Sequence, residues 1–281
     1  MGLLASMYSW RETVKHYANR KDTTVLVFDN RGAGKSDAPL GRYTTTMLAE
    51  DTLELLDHVG WTKSRSVHVN GVSMGGMIAM QLALVAGERI KSLCLTSTCA
   101  KHQNPPRTRL ESIAGWIDWF RPKPTNERKV EVLMGRLFTD EAWLDSKNPA
   151  YPEFRTNRER VFQIMLYRVT QSKTPRVSGQ VGQIAACLTH HCSQENLAKI
   201  GQQMPVLVIV GRQDMLIDPA CSDVLYKQVS LEGQRSHVRL VSYEKGGHAL
   251  MVEEEEAYHK ELDNFEAQSE TFEAKAHDDR K

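Results

Sequence analysis

A Gly-Val-Ser-Met-Gly pentapeptide at residues 71–75 joins a strand-like run to a helix-like run, and this junction constrains the fold more than any other feature. The preceding Ser66-Val67-His68-Val69-Asn70 alternates with the period of a strand. The stretch from Gly75 to Ala86 is small and apolar on nearly every face, as a buried helix is. Turning from strand to helix within so few residues forces Ser73 into a strained backbone conformation, and the flanking glycines leave room for the close approach. The hydroxyl is then raised above a sheet edge, near the positive end of a helix. The plainer reading of the same residues is a serine that caps a helix.

An activated serine needs a base, and the base needs an acid to orient it. Pro205-Val206-Leu207-Val208-Ile209-Val210-Gly211 is a short apolar run of buried-strand type that leads into Arg212-Gln213-Asp214. Val238-Arg239-Leu240-Val241-Ser242-Tyr243 alternates and leads into Gly246-Gly247-His248. Asp214 and His248 therefore follow the C-terminal ends of predicted strands, where open α/β sheets place their sites. Asp218-Pro219 reads as a helix start, a capping aspartate with proline at the first helical position, so Asp214 is the better acid. Taken singly, Asp214 could close a turn and His248 could be a satisfied loop histidine.

In this order the residues resemble the serine hydrolases of the α/β-hydrolase superfamily, and more narrowly their capped esterase and lactonase branch. The resemblance extends to about residue 266. Four motifs carry it: Phe28-Asp29-Asn30-Arg31-Gly32-Ala33-Gly34-Lys35-Ser36-Asp37, the Ser73 elbow, the Gly211-to-Asp214 turn, and Gly247-His248. It implies an α/β fold, a mostly parallel sheet flanked by helices with an inserted helical cap. It also implies Ser73 as nucleophile, His248 as base, Asp214 as orienting acid, and the Met74 amide as an oxyanion donor. The implied reaction is cleavage of a carboxylic ester or lactone through an acyl-enzyme, which needs no metal and no organic cofactor. Met1-Gly2-Leu3-Leu4-Ala5-Ser6, with Trp10 beyond it, resembles the loop after the third strand of that fold, which makes Leu3 the second oxyanion donor. Met1 stands where the common pattern has histidine. By the same resemblance the first three strands have no counterpart, and the sequence is expected to be N-terminally truncated relative to a complete enzyme. Met1, Gly2 and Ser6 also fit an N-myristoylation pattern, which leaves Trp10 unexplained.

The 281 residues suffice for one sizeable core or two small ones. A formal net charge of +1 gives no basic field directed at nucleic acid. No apolar run is long enough for a membrane span, no secretory signal is legible, and five cysteines without a dense framework suit a reducing, cytoplasmic setting. Cys187, His190, His191 and Cys192 form a compact cluster, but their side chains diverge on a helix, so no metal site is expected.

Thr23 to Phe28 reads as a buried strand, Thr45 to Val59 as a helix, and Ile90 to Thr96 as a further strand. Alternation of strand and helix argues for a parallel sheet covered on both faces. From about Ala100 to Met204 the strand signal disappears, and prolines such as Pro105, Pro122, Pro152 and Pro175 punctuate helical segments that carry Trp116, Trp119, Trp143, Phe120 and Phe138. The expected division is a core of residues 1–99 and 205–266, a helical cap of 100–204, and a charged, disordered tail of 267–281. Most cap aromatics should pack among themselves, and a few should line a largely apolar pocket for a small-molecule ester or lactone.

Gly32-Ala33-Gly34-Lys35-Ser36 also resembles the end of a phosphate loop. Asp29 occupies the position where that pattern needs glycine, and a carboxylate repels phosphate. Other readings keep the fold but change the outcome: a weakly active or non-catalytic protein, or the same triad acting on C–C or amide bonds or as an acyltransferase. The cap segment holds more Lys and Arg than Asp and Glu, which either suits an anionic substrate or is surface charge alone.

Overall fold

The computed structural model describes residues 1–18, 20–101, 124–173 and 176–278. Among these, four strands form one sheet: β1 (Val67–Val72), β2 (Ile90–Thr96), β3 (Val206–Gly211) and β4 (Val238–Tyr243), in the spatial order β1-β2-β3-β4. Every pair is parallel. The register runs from Asn70 opposite Cys94, through Leu95 opposite Val208, to Val208 opposite Leu240. A parallel sheet needs helical crossovers, so both faces are covered and the strands become near-continuous apolar runs. β3 is buried along its whole length.

Alternate residues of the central strands face opposite layers, as the strand period requires. Leu93, Leu95, Val206 and Val208 join one cluster with helices α2 (Thr45–His58) and α3 (Met74–Val85). Cys94, Leu207 and Ile209 join the other cluster, with Trp10 beside α1 (Arg11–Ala18). Helix starts are set locally: Thr44 caps α2 by accepting from the Met47 amide at 3.1 Å. α3 is different, because its first residues stay buried on all sides under the sheet edge.

Between β2 and β3 lie α4 (Asn126–Leu137), α5 (Glu141–Asp145), α6 (Asn157–Gln171), α7 (Val177–Thr189) and α8 (Gln194–Gln203). Val130, Met134, Phe138, Leu144, Val161 and Met165 bury the contact among α4, α5 and α6, and Trp143 stacks on Phe138 at 6.0 Å. α8 does not belong with them. Its Leu197 and Ile200 enter the core cluster beside Val206 and beside Val229 of α9 (Pro219–Ser230), a cluster that Ala186 and Cys187 of α7 also join. Trp116, Trp119, Phe120, Pro105, Pro122 and Pro175 lie outside the described residues.

Two expectations are corrected. Thr23–Phe28 joins no ladder among the described residues, and its residues are half-buried or exposed. The apolar pattern is that of a strand, but the neighbour it would pair with is not there among the described residues. The second correction concerns the C-terminus. After a short α10 (Leu250–Glu253), α11 runs from Glu255 to Asp278, straight through the expected start of the tail at residue 267. Ser269 is fully buried and Phe272 lies against His237 at 4.6 Å, so apolar contacts carry the helix onward.

The Gly-rich turn after Phe28 is built around one carboxylate. Asp29 accepts from the Met7 amide at 2.6 Å and the Lys35 amide at 2.8 Å, while its carbonyl accepts from Ser36 Oγ at 2.6 Å. Gly34 sits at φ +54°, and a Cβ there would lie 2.1 Å from the Asp29 carboxyl carbon. Gly34→Ala is therefore expected to lower unfolding stability by roughly 2–4 kcal/mol through strain and overpacking. Urea titration of the two proteins checks this, and an unchanged midpoint contradicts it.

Candidate active site

Ser73 adopts φ +57° and ψ −123°, a conformation that L residues avoid, between the end of β1 and the first turn of α3. Surrounding contacts leave it no alternative. The Ser73 amide donates to the Thr96 carbonyl at 2.9 Å, continuing the ladder, and the Thr98 hydroxyl donates to the Ser73 carbonyl at 2.7 Å. A Cβ at Gly71 would lie 2.5 Å from the Gly75 carbonyl oxygen, so only glycine lets β1 and α3 cross this closely.

Asp214 and His248 follow β3 and β4, at the same carboxyl edge of the sheet as Ser73. The imidazole Nδ1 of His248 and Asp214 Oδ2 are 2.7 Å apart, and both side chains are almost wholly buried. The other oxygen of Asp214 accepts from the amides of Leu216 at 2.8 Å and Ile217 at 3.0 Å. Three bonds thus fix the carboxylate, and the carboxylate fixes the ring, leaving Nε2 as the nitrogen available to a reacting proton. Asp218 does what its sequence position implies, accepting from the Ala220 amide at 3.0 Å as the cap of α9. Ser73 Oγ and His248 are not hydrogen-bonded to each other in this structure. In ligand-free sites such arms are often long and tighten only around substrate.

Gly2 lies against the serine, where a Cβ would be 3.3 Å from Ser73 Cβ and 3.6 Å from its Oγ. Leu3 is partly buried and packs against the same cluster as Met74. Among the described residues no acceptor engages the amides of Leu3 or Met74. Leu4, at φ +57°, turns the chain here.

The sequence profile of the alpha/beta hydrolase fold matches residues 1–255. This chain belongs to that family. It is 26% identical over 270 residues, 94% of its own length and 90% of the other's, to a protein of Pseudomonas savastanoi provisionally named carbamate hydrolase RutD. It is 35% identical to a like-named protein of Azorhizobium caulinodans over 92 residues, a third of either chain. Among solved structures it is similar to a hydrolase from Pseudomonas aeruginosa, with TM-score 0.68 and 26% identity over 94% of this chain and 86% of that one. It also resembles in fold the enol-lactonase of Burkholderia xenovorans, with TM-score 0.70, 23% identity, and coverage of 94% and 88%.

Several supporting residues in this alpha/beta hydrolase carry no sequence signal. Gln183 of α7 is fully buried; its Oε1 accepts from the Leu4 amide at 2.8 Å and its Nε2 donates to the Arg31 carbonyl at 2.8 Å. One glutamine therefore ties the Gly2–Leu4 turn to the Gly-rich turn. The histidine loop is held twice: the His248 amide donates to the Leu137 carbonyl at 3.0 Å, and the Gly247 amide donates to Glu253 Oε2 at 2.6 Å. Only proximity along the chain could have hinted at Glu253. In the Cys/His cluster, the His190 ring meets Thr45 Oγ1 at 2.9 Å, and burial pushes its pKa down to about 4. In the Gly-rich turn the Lys35 amide is already taken by the Asp29 carboxylate.

Burial pushes the Glu253 carboxyl up to about 7 from 4.5. The folded protein then binds more protons than the unfolded chain between about pH 4.5 and 7, so stability falls as pH rises through that window. For a half-buried carboxyl the expected loss is about 1–2 kcal/mol. Glu253→Gln keeps an acceptor for Gly247 and should remove that part of the slope. Denaturant titrations at pH 4.5, 6 and 7.5 measure it, and identical slopes contradict it.

Proposed function

We propose that this protein is a serine hydrolase that cleaves a carboxylic ester or lactone, with Ser73, His248 and Asp214 as its catalytic triad. The observation that carries the reading is the buried 2.7 Å pair of His248 and Asp214 at the same sheet edge as a serine held at φ +57°. A buried carboxylate bonded to imidazole Nδ1 fixes the tautomer whose Nε2 can take a proton. A serine in a strained elbow is presented to a carbonyl.

In the proposed reaction Ser73 Oγ attacks the carbonyl carbon and His248 Nε2 takes its proton. The carbonyl oxygen becomes an oxyanion, received by the amides of Met74 and Leu3. Collapse of the tetrahedral intermediate expels the alcohol, which leaves with the proton from His248, and an acyl group stays on Ser73. Water then attacks with His248 as base, the acid is released, and Ser73 is restored. In a lactone the expelled alcohol remains attached to the acyl group. The relatives named carbamate hydrolase and the enol-lactonase support acyl transfer as the reaction class. A carbamate, an amide, a C–C bond or a non-water acceptor each requires only a different leaving group or acceptor at the same carbonyl.

A second reading, a weakly active or silent protein, draws on one observation, the unbonded arm between Ser73 and His248. A fluorophosphonate probe separates the two, since it reacts only with an activated serine. Labelling of the parent chain, abolished in Ser73→Ala and cut at least roughly 10³-fold in rate in Asp214→Asn, is the expected result. Labelling that survives Ser73→Ala overturns the triad. A panel of aryl esters and lactones then identifies the substrate class.

A further inference from the structure

Leu4 stands at φ +57°, in the left-handed region that a leucine avoids. The Ala5 amide donates to the Gly2 carbonyl at 3.2 Å, so Gly2 to Ala5 close a tight turn with Leu4 in its third place. Turns with positive φ there take glycine or asparagine, because a larger side chain crowds the backbone. Rotating the Leu3–Leu4 peptide would return Leu4 to negative φ and release that strain. One bond opposes the rotation. Gln183 Oε1 accepts from the Leu4 amide at 2.8 Å, and the rotated peptide would turn a carbonyl oxygen toward it instead.

Gln183 itself has no freedom to turn over. Its Nε2 donates to the Arg31 carbonyl at 2.8 Å. A carbonyl only accepts and a backbone amide only donates, so the two partners fix which end of the side chain faces which. The side chain is fully buried. Its helix is also pressed onto the core: a Cβ at Gly179 would lie 2.3 Å from the Gly32 carbonyl oxygen, and one at Gly182 would lie 2.5 Å from the Tyr43 ring. The Ser178 hydroxyl adds a bond to the Ala38 carbonyl at 2.8 Å.

The turn that Gln183 holds borders the serine, since a Cβ on Gly2 would be 3.6 Å from Ser73 Oγ. The Gly2 carbonyl and the Leu3 amide belong to one planar trans peptide, so a carbonyl turned to Ala5 sends the Leu3 N–H the opposite way. An oxyanion donor works only within a narrow range, about 2.7–3.1 Å from the developing charge. We propose that Gln183 is a positioning residue of the oxyanion hole: it holds the strained Gly2–Ala5 turn in the one conformation that aims the Leu3 amide beside Ser73. This role rests on the serine hydrolase reading and adds to it a residue that touches neither substrate nor nucleophile.

The test compares the parent with Gln183→Met, which keeps an unbranched side chain and loses both hydrogen bonds, and with Gln183→Met/Leu4→Gly, in which positive φ carries no strain. Thermal melts establish that each is folded. Amide exchange at Leu4, followed by NMR on protein labelled with ¹⁵N-leucine, reads the bond without catalysis. Saturation kinetics of fluorophosphonate labelling read the hole. In Gln183→Met, exchange at Leu4 should quicken roughly tenfold. The maximal labelling rate should fall roughly 30-fold, with the half-saturating probe concentration unchanged. Adding Leu4→Gly should bring that rate back to within about threefold of the parent. A residue that merely docked its helix onto the core would gain nothing from glycine in the turn, so a rate that stays low in the double variant overturns the proposal. Unchanged exchange at Leu4 overturns it too, as does an unchanged labelling rate in Gln183→Met. Should Gln183→Met not fold, Leu4→Pro removes the same donor and forbids positive φ at a half-buried position. It should show the same loss of rate, and a parental rate there overturns the proposal. A parent chain that takes no label sinks the hydrolase reading and this role with it, whereas a parent that labels and variants that label equally sink this role alone.

Discussion

The close crossing of β1 and α3 at Gly71–Gly75 is the constraint on which the rest of the molecule depends. It fixes Ser73 at a backbone conformation that costs on the order of 1–3 kcal/mol and persists only where neighbours over-determine it. Those neighbours come from three places: the Thr96 carbonyl in the adjacent strand, the Thr98 hydroxyl just beyond it, and Gly2 packed against the serine. None of them tolerates much displacement. The sheet, the α3 helix and the N-terminal turn are thereby locked to one point, and that point is where the chemistry is proposed to occur.

The same economy of contact governs the base. His248 sits on a loop with no regular structure of its own, yet three elements converge on it. Asp214 holds the ring, the Leu137 carbonyl at the end of α4 holds its amide, and Glu253 holds the amide before it. Gln183 makes a second such link, from α7 to the Leu4 amide and the Arg31 carbonyl. The helices between β2 and β3 are thus fastened to the candidate site by single polar groups, while the apolar residues of α4, α5 and α6 join the cluster on one face of the sheet.

The side of β1 away from β2 is more open. Among the described residues Thr23–Phe28 joins no ladder, and α1 and α11 on one face and α2 and α3 on the other present apolar surface toward the space between that segment and β1. Packing is closest at the elbow and along β2 and β3.

The order of strands and helices from Thr45 onward was legible because apolar periodicity is a local property. β2, β4 and α2 fall within a residue of where their patterns place them, and the Asp218-Pro219 cap behaves as its chemistry demands. Asp214 and His248 were legible because each follows a strand end and a glycine turn. Thr23–Phe28 has the composition of a strand and is not one, because pairing belongs to the neighbour as much as to the segment. Residues near 267 read as a tail, yet α11 continues, because Gln268 meets Arg239 and Phe272 meets His237, distant partners that composition cannot show. Gln183, Thr98 and Glu253 were invisible for the same reason: a single polar side chain carries no period, and only folding brings it to its partner. By itself the sequence determined the elements, their order and the chemical types at the sheet edge. The tertiary structure alone decided which amide each buried polar group would hold and how far the last helix would run, since those outcomes depend on contacts between residues far apart in the chain.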